Sequence, residues 1–200
     1  VDVKRADPLE VRRRVAVVGA TGFIGGWVAR ATIGRGDEVL LLARDLERLT
    51  ETFGVRPAGG RDVAPDGTGV VRLARGDATD FASIDRAVRG FRPEVIFNLV
   101  GYGVDRAERD ESMARAINTD LPIALAGLAA ELGAGLVHAG SALEYGTASG
   151  DLHEATVPSP TTLYGVTKLA GTEGVRAVAQ VRGSVALTAR LFTVYGAGEH

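Results

Sequence analysis

The sequence predicts an α/β fold, a doubly wound parallel sheet covered by helices on both faces. Three observations predict it. Apolar runs such as Val15–Val18 and Val39–Leu42 are continuous rather than alternating, the pattern of strands buried on both sides. These runs alternate with segments of helical period along the whole chain, which implies parallel strands joined by right-handed crossovers. The first run ends in a turn with glycines at Gly19, Gly22 and Gly25 that leads straight into a helical pattern. The expected strand order is 3-2-1-4-5-6, with ligands outside the carboxyl ends of the strands. Residues 1–14, which end in Arg12-Arg13-Arg14, read as a solvated lead-in, and 15–200 as one domain with a sizeable core.

Each element has its own justification. Gly19 permits backbone angles closed to other residues, Gly22 lets the main chain approach a pyrophosphate, and Gly25 lets the helix sit close on the strand. The N–H groups of Thr21, Gly22, Phe23, Ile24 and Gly25 then lie where the positive end of the helix dipole faces phosphates. The spacing is GxxGxxG rather than the commoner GxGxxG, and an ordinary glycine turn has the same appearance. A helix follows from about Phe23 to Ile33, with Phe23, Ile24, Trp27, Val28 and Ala31 as its apolar pattern and Trp27 in the core; Gly34 and Gly36 end it.

Val39–Leu42 is the second strand. An acidic residue just past it would bond the ribose 2′-OH of NAD, whereas an arginine favours the 2′-phosphate of NADP. Arg44 stands there, followed by Asp45, so NADP is favoured with NAD as the alternative; a surface arginine near the start of the Asp45–Thr52 helix is the other reading. Residues 54–69 are rich in glycine, proline and charge and read as a surface loop. Val70–Ala74 is the third strand, and Asp77 at its carboxyl end is placed to accept a bond from an adenine amino group. Asp80 is expected to cap the helix from Phe81 to Arg89. Pro93–Val100 gives the fourth strand, followed by Gly101, and a long helix covers about Asp110–Leu132. Gly135–Gly140 is the fifth strand with Ser141 just past it. A helix from about Thr162 to Val181 and a sixth strand, Val185–Leu191, complete the chain.

Composition narrows the function. A net charge of −2 gives no reason to expect nucleic acid or an anionic membrane surface. No apolar run is long enough to span a bilayer, and the N-terminus lacks the apolar core of a signal peptide. The absence of cysteine excludes thiolate metal sites and fits a reducing cytoplasm. His138 falls inside a buried strand, while His153 and His200 are isolated, so no metal site is expected.

Tyr164 and Lys168 carry the chemistry. Four residues apart near the start of a helix, they share one face. A phenol titrates near pH 10, and a neighbouring ammonium would draw that value down. Such pairs also arise by chance on helices, but Ser141, just past the fifth strand, could bond the same substrate oxygen that Tyr164 protonates.

With these residues in place the chain resembles the extended short-chain dehydrogenase/reductases, in the nucleotide-sugar branch of epimerases, dehydratases and 4-ketoreductases. The matching stretches are Gly19–Gly25, Gly76–Asp80, Phe97–Val100, Asn118–Asp120, Ser141–Gly146, Tyr164–Lys168 and Arg190–Gly196, in the family's order. The resemblance implies that Ser141, Tyr164 and Lys168 form a catalytic triad and that Asn118 helps hold the cofactor. It also implies that Asp77 and Ala78 flank the adenine and that Leu99, Val100 and Gly101 line the cofactor groove. Ala142 and Leu143 replace the Asp-Glu pair that dehydratases carry after the catalytic hydroxyl, and Glu144 is one residue out of place for that acid. Thr193 stands where many epimerases have asparagine. The expected function is reduction of a 4-keto-6-deoxy nucleotide-sugar, with an NAD-dependent epimerase as the alternative. A catalytically silent dinucleotide-binding sensor is the alternative from another class. By the same resemblance, the sugar-binding C-terminal region is largely absent from these 200 residues, and a cytoplasmic homodimer is expected.

Overall fold

The computed structural model describes residues 12–55, 62–63, 69–103 and 107–198. The elements are β1 (Arg14–Val18), α1 (Phe23–Gly34), β2 (Glu38–Ala43), α2 (Leu46–Phe53), β3 (Asp62–Val63), β4 (Val70–Arg75), α3 (Phe81–Phe91) and β5 (Val95–Asn98). They continue with α4 (Glu111–Arg115), a π-helical turn (Ala116–Asp120), α5 (Leu121–Leu132), β6 (Gly135–Ser141), α6 (Leu163–Arg182) and β7 (Ala186–Leu191). The sheet order is β3-β4-β2-β1-β5-β6-β7. Apart from β3, every pairing is parallel, and the six parallel strands stand in the 3-2-1-4-5-6 order expected from the alternation. β3 is an addition: two residues of the segment expected to be a loop pair antiparallel with β4.

The continuous apolar strands are explained by two cores. Ala16, Val18, Leu40 and Leu42 face the layer holding Ile84, Val88 and Leu125. Val15, Val17, Val39 and Leu41 face the other, with Ala29, Ile33, Leu49 and Phe53. Successive residues of β1 and β2 thus point into opposite apolar layers, and each buried branched side chain contributes about 1.5–3 kcal/mol.

The face of α1 differs from expectation. Its buried residues are Gly25, Gly26, Ala29, Thr32 and Ile33. Trp27 lies on the other side, 54% exposed, with its Nε1–H donating to the Ala197 carbonyl at 3.0 Å. The reason is the closeness of the helix to the turn before it: a Cβ at Gly25 would stand 2.0 Å from the Gly19 carbonyl oxygen. Only the small-residue face fits there.

The long helix of the fourth crossover is interrupted. Asp110 caps it by accepting from the Ser112 and Met113 N–H groups, and the chain widens into a π-turn at Ala116–Asp120 before α5. Pro122, at the start of α5, has no N–H to donate to the Asn118 carbonyl four residues before it. That carbonyl faces α6 so closely that a Cβ at Gly171 would lie 2.1 Å from it, and one at Gly174 would lie 2.3 Å from Ile123 Cδ1. These two glycines set how near α6 approaches α5, and therefore where Tyr164 and Lys168 stand. Among the described residues no helix is long and apolar enough to cross a membrane.

Candidate active site

The carboxyl ends of β1, β5 and β6 and the start of α6 enclose a groove of about 690 Å³. One end is the glycine turn. Gly19 has φ +89°, in the region that favours glycine, and Gly22 N–H donates to its carbonyl at 3.1 Å. α1 begins at Gly22 with no side-chain cap and no acidic residue in its first turn. Its positive end is thus left to an outside anion, and the residues present fit a dinucleotide pyrophosphate. Phe23, Ile24 and Gly25 line this end, with Leu99, Val100 and Gly101 across from them.

Ser141, Tyr164 and Lys168 line the other end of the same groove. Thr162 caps α6 by accepting from Gly165 N–H, which fixes the first turn that carries Tyr164. Lys168 is 2% exposed, and its ammonium donates to the Ala139 carbonyl of β6 at 2.5 Å. Burial draws its pKa down to about 8, opposed by the Glu144 carboxylate. Tyr164 moves the other way from the expectation of a lowered phenol. Burial raises its pKa, a hydrogen bond with Ser141 partly offsets this, and Glu144 adds to the rise. The ammonium is bound to a β6 carbonyl, and desolvation outweighs the stabilisation expected from the spacing.

Glu144, set aside in the sequence as one residue out of place for a dehydratase acid, is a buried neighbour of this wall. It has no exposed surface, and Oε1 accepts from Ser141 N–H at 2.8 Å and Thr172 Oγ1 at 3.1 Å. Its Oε2 accepts from Arg190 Nε at 2.7 Å. Ser141 Oγ in turn accepts from Leu143 N–H at 3.2 Å, closing a capping box around residues 141–144. The S-x-x-E pattern in Ser141-Ala-Leu-Glu144 carries that signal in the sequence. Glu144 holds the backbone of this wall at Ser141 in place and is no free acid.

Asn118 is buried beside the groove with its amide committed elsewhere. Its Nδ2 donates to the Tyr102 carbonyl at 2.7 Å and Thr167 Oγ1 at 3.0 Å, while Oδ1 accepts from Tyr102 N–H at 3.0 Å. These bonds clamp the backbone at Tyr102 and leave no free amide hydrogen for a cofactor. Thr167, which sequence reasoning missed, completes that clamp. His138 is fully buried on β6, as expected, and its Nδ1 faces Asn98 Nδ2 at 3.2 Å. Burial and the nearby Lys168 lower its pKa to about 3.

At the adenosine end, Arg44 and Asp77 border one hollow together with Thr21. The Asp77 Oδ1 accepts from Thr79 N–H at 2.9 Å and Thr79 Oγ1 at 2.7 Å, and these bonds hold its carboxyl below the usual range. Ala78 is half-buried against the core. Asp80 occupies the N-cap position of α3 but makes no side-chain cap bond; the Ser83 hydroxyl donates to its carbonyl instead. His153 Nδ1 accepts from Ala155 N–H within its own loop, and His200 lies outside the described residues.

A parallel doubly wound sheet, an uncapped helix start after a glycine turn and a Tyr/Lys/Ser wall define the class of nucleotide-binding domains built for dinucleotides. The sequence model of the NAD dependent epimerase/dehydratase family matches residues 15–200, and the chain belongs to that family. It is 34% identical over 194 residues to a dTDP-6-deoxy-L-talose 4-dehydrogenase (NAD(P)(+)) of Kitasatospora kifunensis, covering 93% of this chain and 54% of that one. It is 35% identical over 147 residues to a dTDP-4-dehydrorhamnose reductase of Streptomyces griseus, covering 70% of this chain and 47% of the relative. The fold is also that of UDP-glucose 4-epimerase from Thermotoga maritima, with TM-score 0.76 and 19% identity over 94% of this chain and 58% of that one. The chain spans about half the length of the curated relatives it matches.

Proposed function

We propose that the protein is an NADP(H)-dependent oxidoreductase that reduces the 4-keto group of a nucleotide-activated 6-deoxy sugar. One observation carries this reading: Ser141, Tyr164 and Lys168 form one wall of a groove whose opposite end is the open N-terminus of α1. The Gly19–Gly25 turn would hold the pyrophosphate, the Leu99–Gly101 segment the nicotinamide half, and Arg44 the 2′-phosphate. When bound, the cofactor supplies the reducing equivalent at the sugar carbon. Tyr164, its pKa raised, is a neutral phenol at neutral pH and so carries the proton that the keto oxygen must receive. Ser141 orients that oxygen, and Lys168, one turn further along α6 and bonded to the Ala139 carbonyl, is the nearby ammonium that could approach the phenol once its proton has been given up.

The kinship with dTDP-sugar enzymes supports this substrate class, and the names of two relatives support the 4-keto position. The family also contains epimerases, and an NAD-dependent epimerase that restores its cofactor within each turnover is the second reading. Residence in the cytoplasm and homodimer formation, both expected from the resemblance, belong to the same proposal; light scattering on the eluting protein reads the oligomer directly.

The test pairs NADPH oxidation, followed at 340 nm with a dTDP-4-keto-6-deoxy-sugar, with calorimetric cofactor titration. Tyr164→Phe is expected to lose turnover and keep cofactor affinity. An equal rate in the variant would overturn catalysis by Tyr164, and cofactor binding with no turnover in either protein would favour a sensor. Cofactor retained with a sugar isomerised and no net oxidation would favour the epimerase.

A further inference from the structure

We propose that Arg75 is a second determinant of cofactor choice, holding the 2′-phosphate of NADP together with Arg44. The inference rests on the reading of the groove as a dinucleotide site. The hollow at the adenosine end, about 650 Å³, is bordered by three arginines: Arg44 after β2, Arg48 on α2 and Arg75 at the end of β4. The strand register brings two of them together. Ala43 pairs with Arg75, and Gly76 N–H donates to the Ala43 carbonyl at 3.0 Å. Arg44 and Arg75 thus leave adjacent parallel strands that run about 4.8 Å apart. Arg48 is fixed nearby through its backbone N–H, which donates to Asp45 Oδ1 at 3.0 Å.

Among the described residues, no ion pair or hydrogen bond engages any of the three guanidinium groups. Arg72, three residues before Arg75 on the same strand, is by contrast closed onto Glu38 at 2.7 Å. The hollow also holds three carboxylates, Asp45, Glu47 and Asp77. Asp45 is occupied in capping α2, and Asp77 in binding Thr79. Glu47 lies in the first turn of α2, where the helix dipole favours an anion. Asp77 also feels the charge of both Arg44 and Arg75, but its oxygen is bonded to Thr79, so neither guanidinium is closed into an ion pair and both border the hollow. A dianionic phosphate monoester answers that arrangement, because two guanidinium forks can bind its oxygens bidentately. A ribose hydroxyl does not. Arg75 has no signature in the glycine motif or in the residue after β2; only the register of β2 with β4 places it beside Arg44.

The test is calorimetric titration of the full chain with NADPH, NADH and adenosine 2′-monophosphate, for the wild type and the variants Arg75→Ala, Arg75→Lys and Arg44→Ala. Arg75→Ala is expected to weaken NADPH and adenosine 2′-monophosphate by about tenfold or more, the loss of one charge-assisted partner. NADH affinity should change less than about twofold, which also reports that the fold is intact. Arg75→Lys should recover part of the loss, because a point charge keeps the attraction without the fork. An equal loss for NADPH and NADH, or none for either, would overturn the proposal while leaving the dinucleotide site standing. A wild type that binds NADH as well as NADPH would overturn it too. Binding of neither dinucleotide would overturn the site itself and this inference with it.

Discussion

Replacing Glu144 by glutamine should cost about 3 kcal/mol of stability, through the opening of a buried pair on one side. The magnitude follows from its three partners. A glutamine oxygen in the place of Oε1 keeps the bonds from Ser141 N–H and Thr172 Oγ1. Its NH₂ then occupies the place of Oε2, facing Arg190 Nε across the 2.7 Å that the carboxylate spanned. A donor meets a donor, and the Arg190 side chain, only 15% exposed, has little water to turn to. One-sided removal of a buried partner costs about 3–5 kcal/mol, and two surviving bonds put this variant at the lower end. For a domain of this size the melting temperature should fall by about 6–12 °C. Urea and thermal melts of Glu144→Gln, Arg190→Met and the double variant form a cycle. The double variant removes both the charge and the clash, so the cycle should show a coupling of about 2 kcal/mol. A melting temperature lowered by less than about 2 °C, or single losses that simply add, would refute the assignment of Glu144 as the buried anchor of this wall.

Two further perturbations follow from the same geometry. Folded His138 titrates near 3 against 6.5 for an ordinary histidine, so unfolding takes up a proton between these values and stability falls as pH drops through that window. Between pH 6.5 and 5 the wild type should lose about 1.6 kcal/mol more than His138→Gln, read from denaturation midpoints at the two pH values. Gly171→Ala places a Cβ 2.1 Å from the Asn118 carbonyl and should destabilise by about 3 kcal/mol, with turnover falling because Tyr164 and Lys168 ride on α6. Gly127→Ala on α5, with nothing within 4 Å of its new Cβ, should instead stabilise by about 0.5–1 kcal/mol; a destabilisation equal to that of Gly171→Ala would show that the crossing is not what Gly171 protects.

The sheet was legible because β1 and β2 each sit between two apolar layers, which writes the strands as unbroken runs, and because the alternation with helices leaves few topologies. The face of α1 was not legible. Two apolar patterns coexist there, and the choice between them depends on the 2.0 Å limit at Gly25, a distance between segments that sequence does not contain. β3 was hidden for a similar reason: Asp62 and Val63 pair with β4 inside a stretch whose composition reads as loop. Pro122 marked a disturbance in the long helix, but the π-turn that presents the Asn118 carbonyl to Gly171 arises only when α5 and α6 cross.

The candidate site divides along the same line. Spacing placed Tyr164 and Lys168 on one helix face, and strand ends placed Ser141 near them. Their electrostatics were not in the spacing, because they come from other elements: the Ala139 carbonyl that takes the ammonium, the Glu144 carboxylate behind Ser141, and the burial of the phenol. The consequence bears on the direction of reaction. A phenol pulled down by a free ammonium would rest closer to its phenolate and be ready to take a proton from a hydroxyl. The Tyr164 phenol, raised by burial, rests protonated, and the ammonium that could lower it is held by β6 and already loses its own proton near pH 8. Proton donation to a keto oxygen therefore starts from the resting state of the wall, whereas abstraction requires Lys168 to exchange the Ala139 carbonyl for the phenol first. The resting wall thus matches the proton-donating state that the proposed reduction requires, and the reverse reaction would begin from the deprotonated phenol.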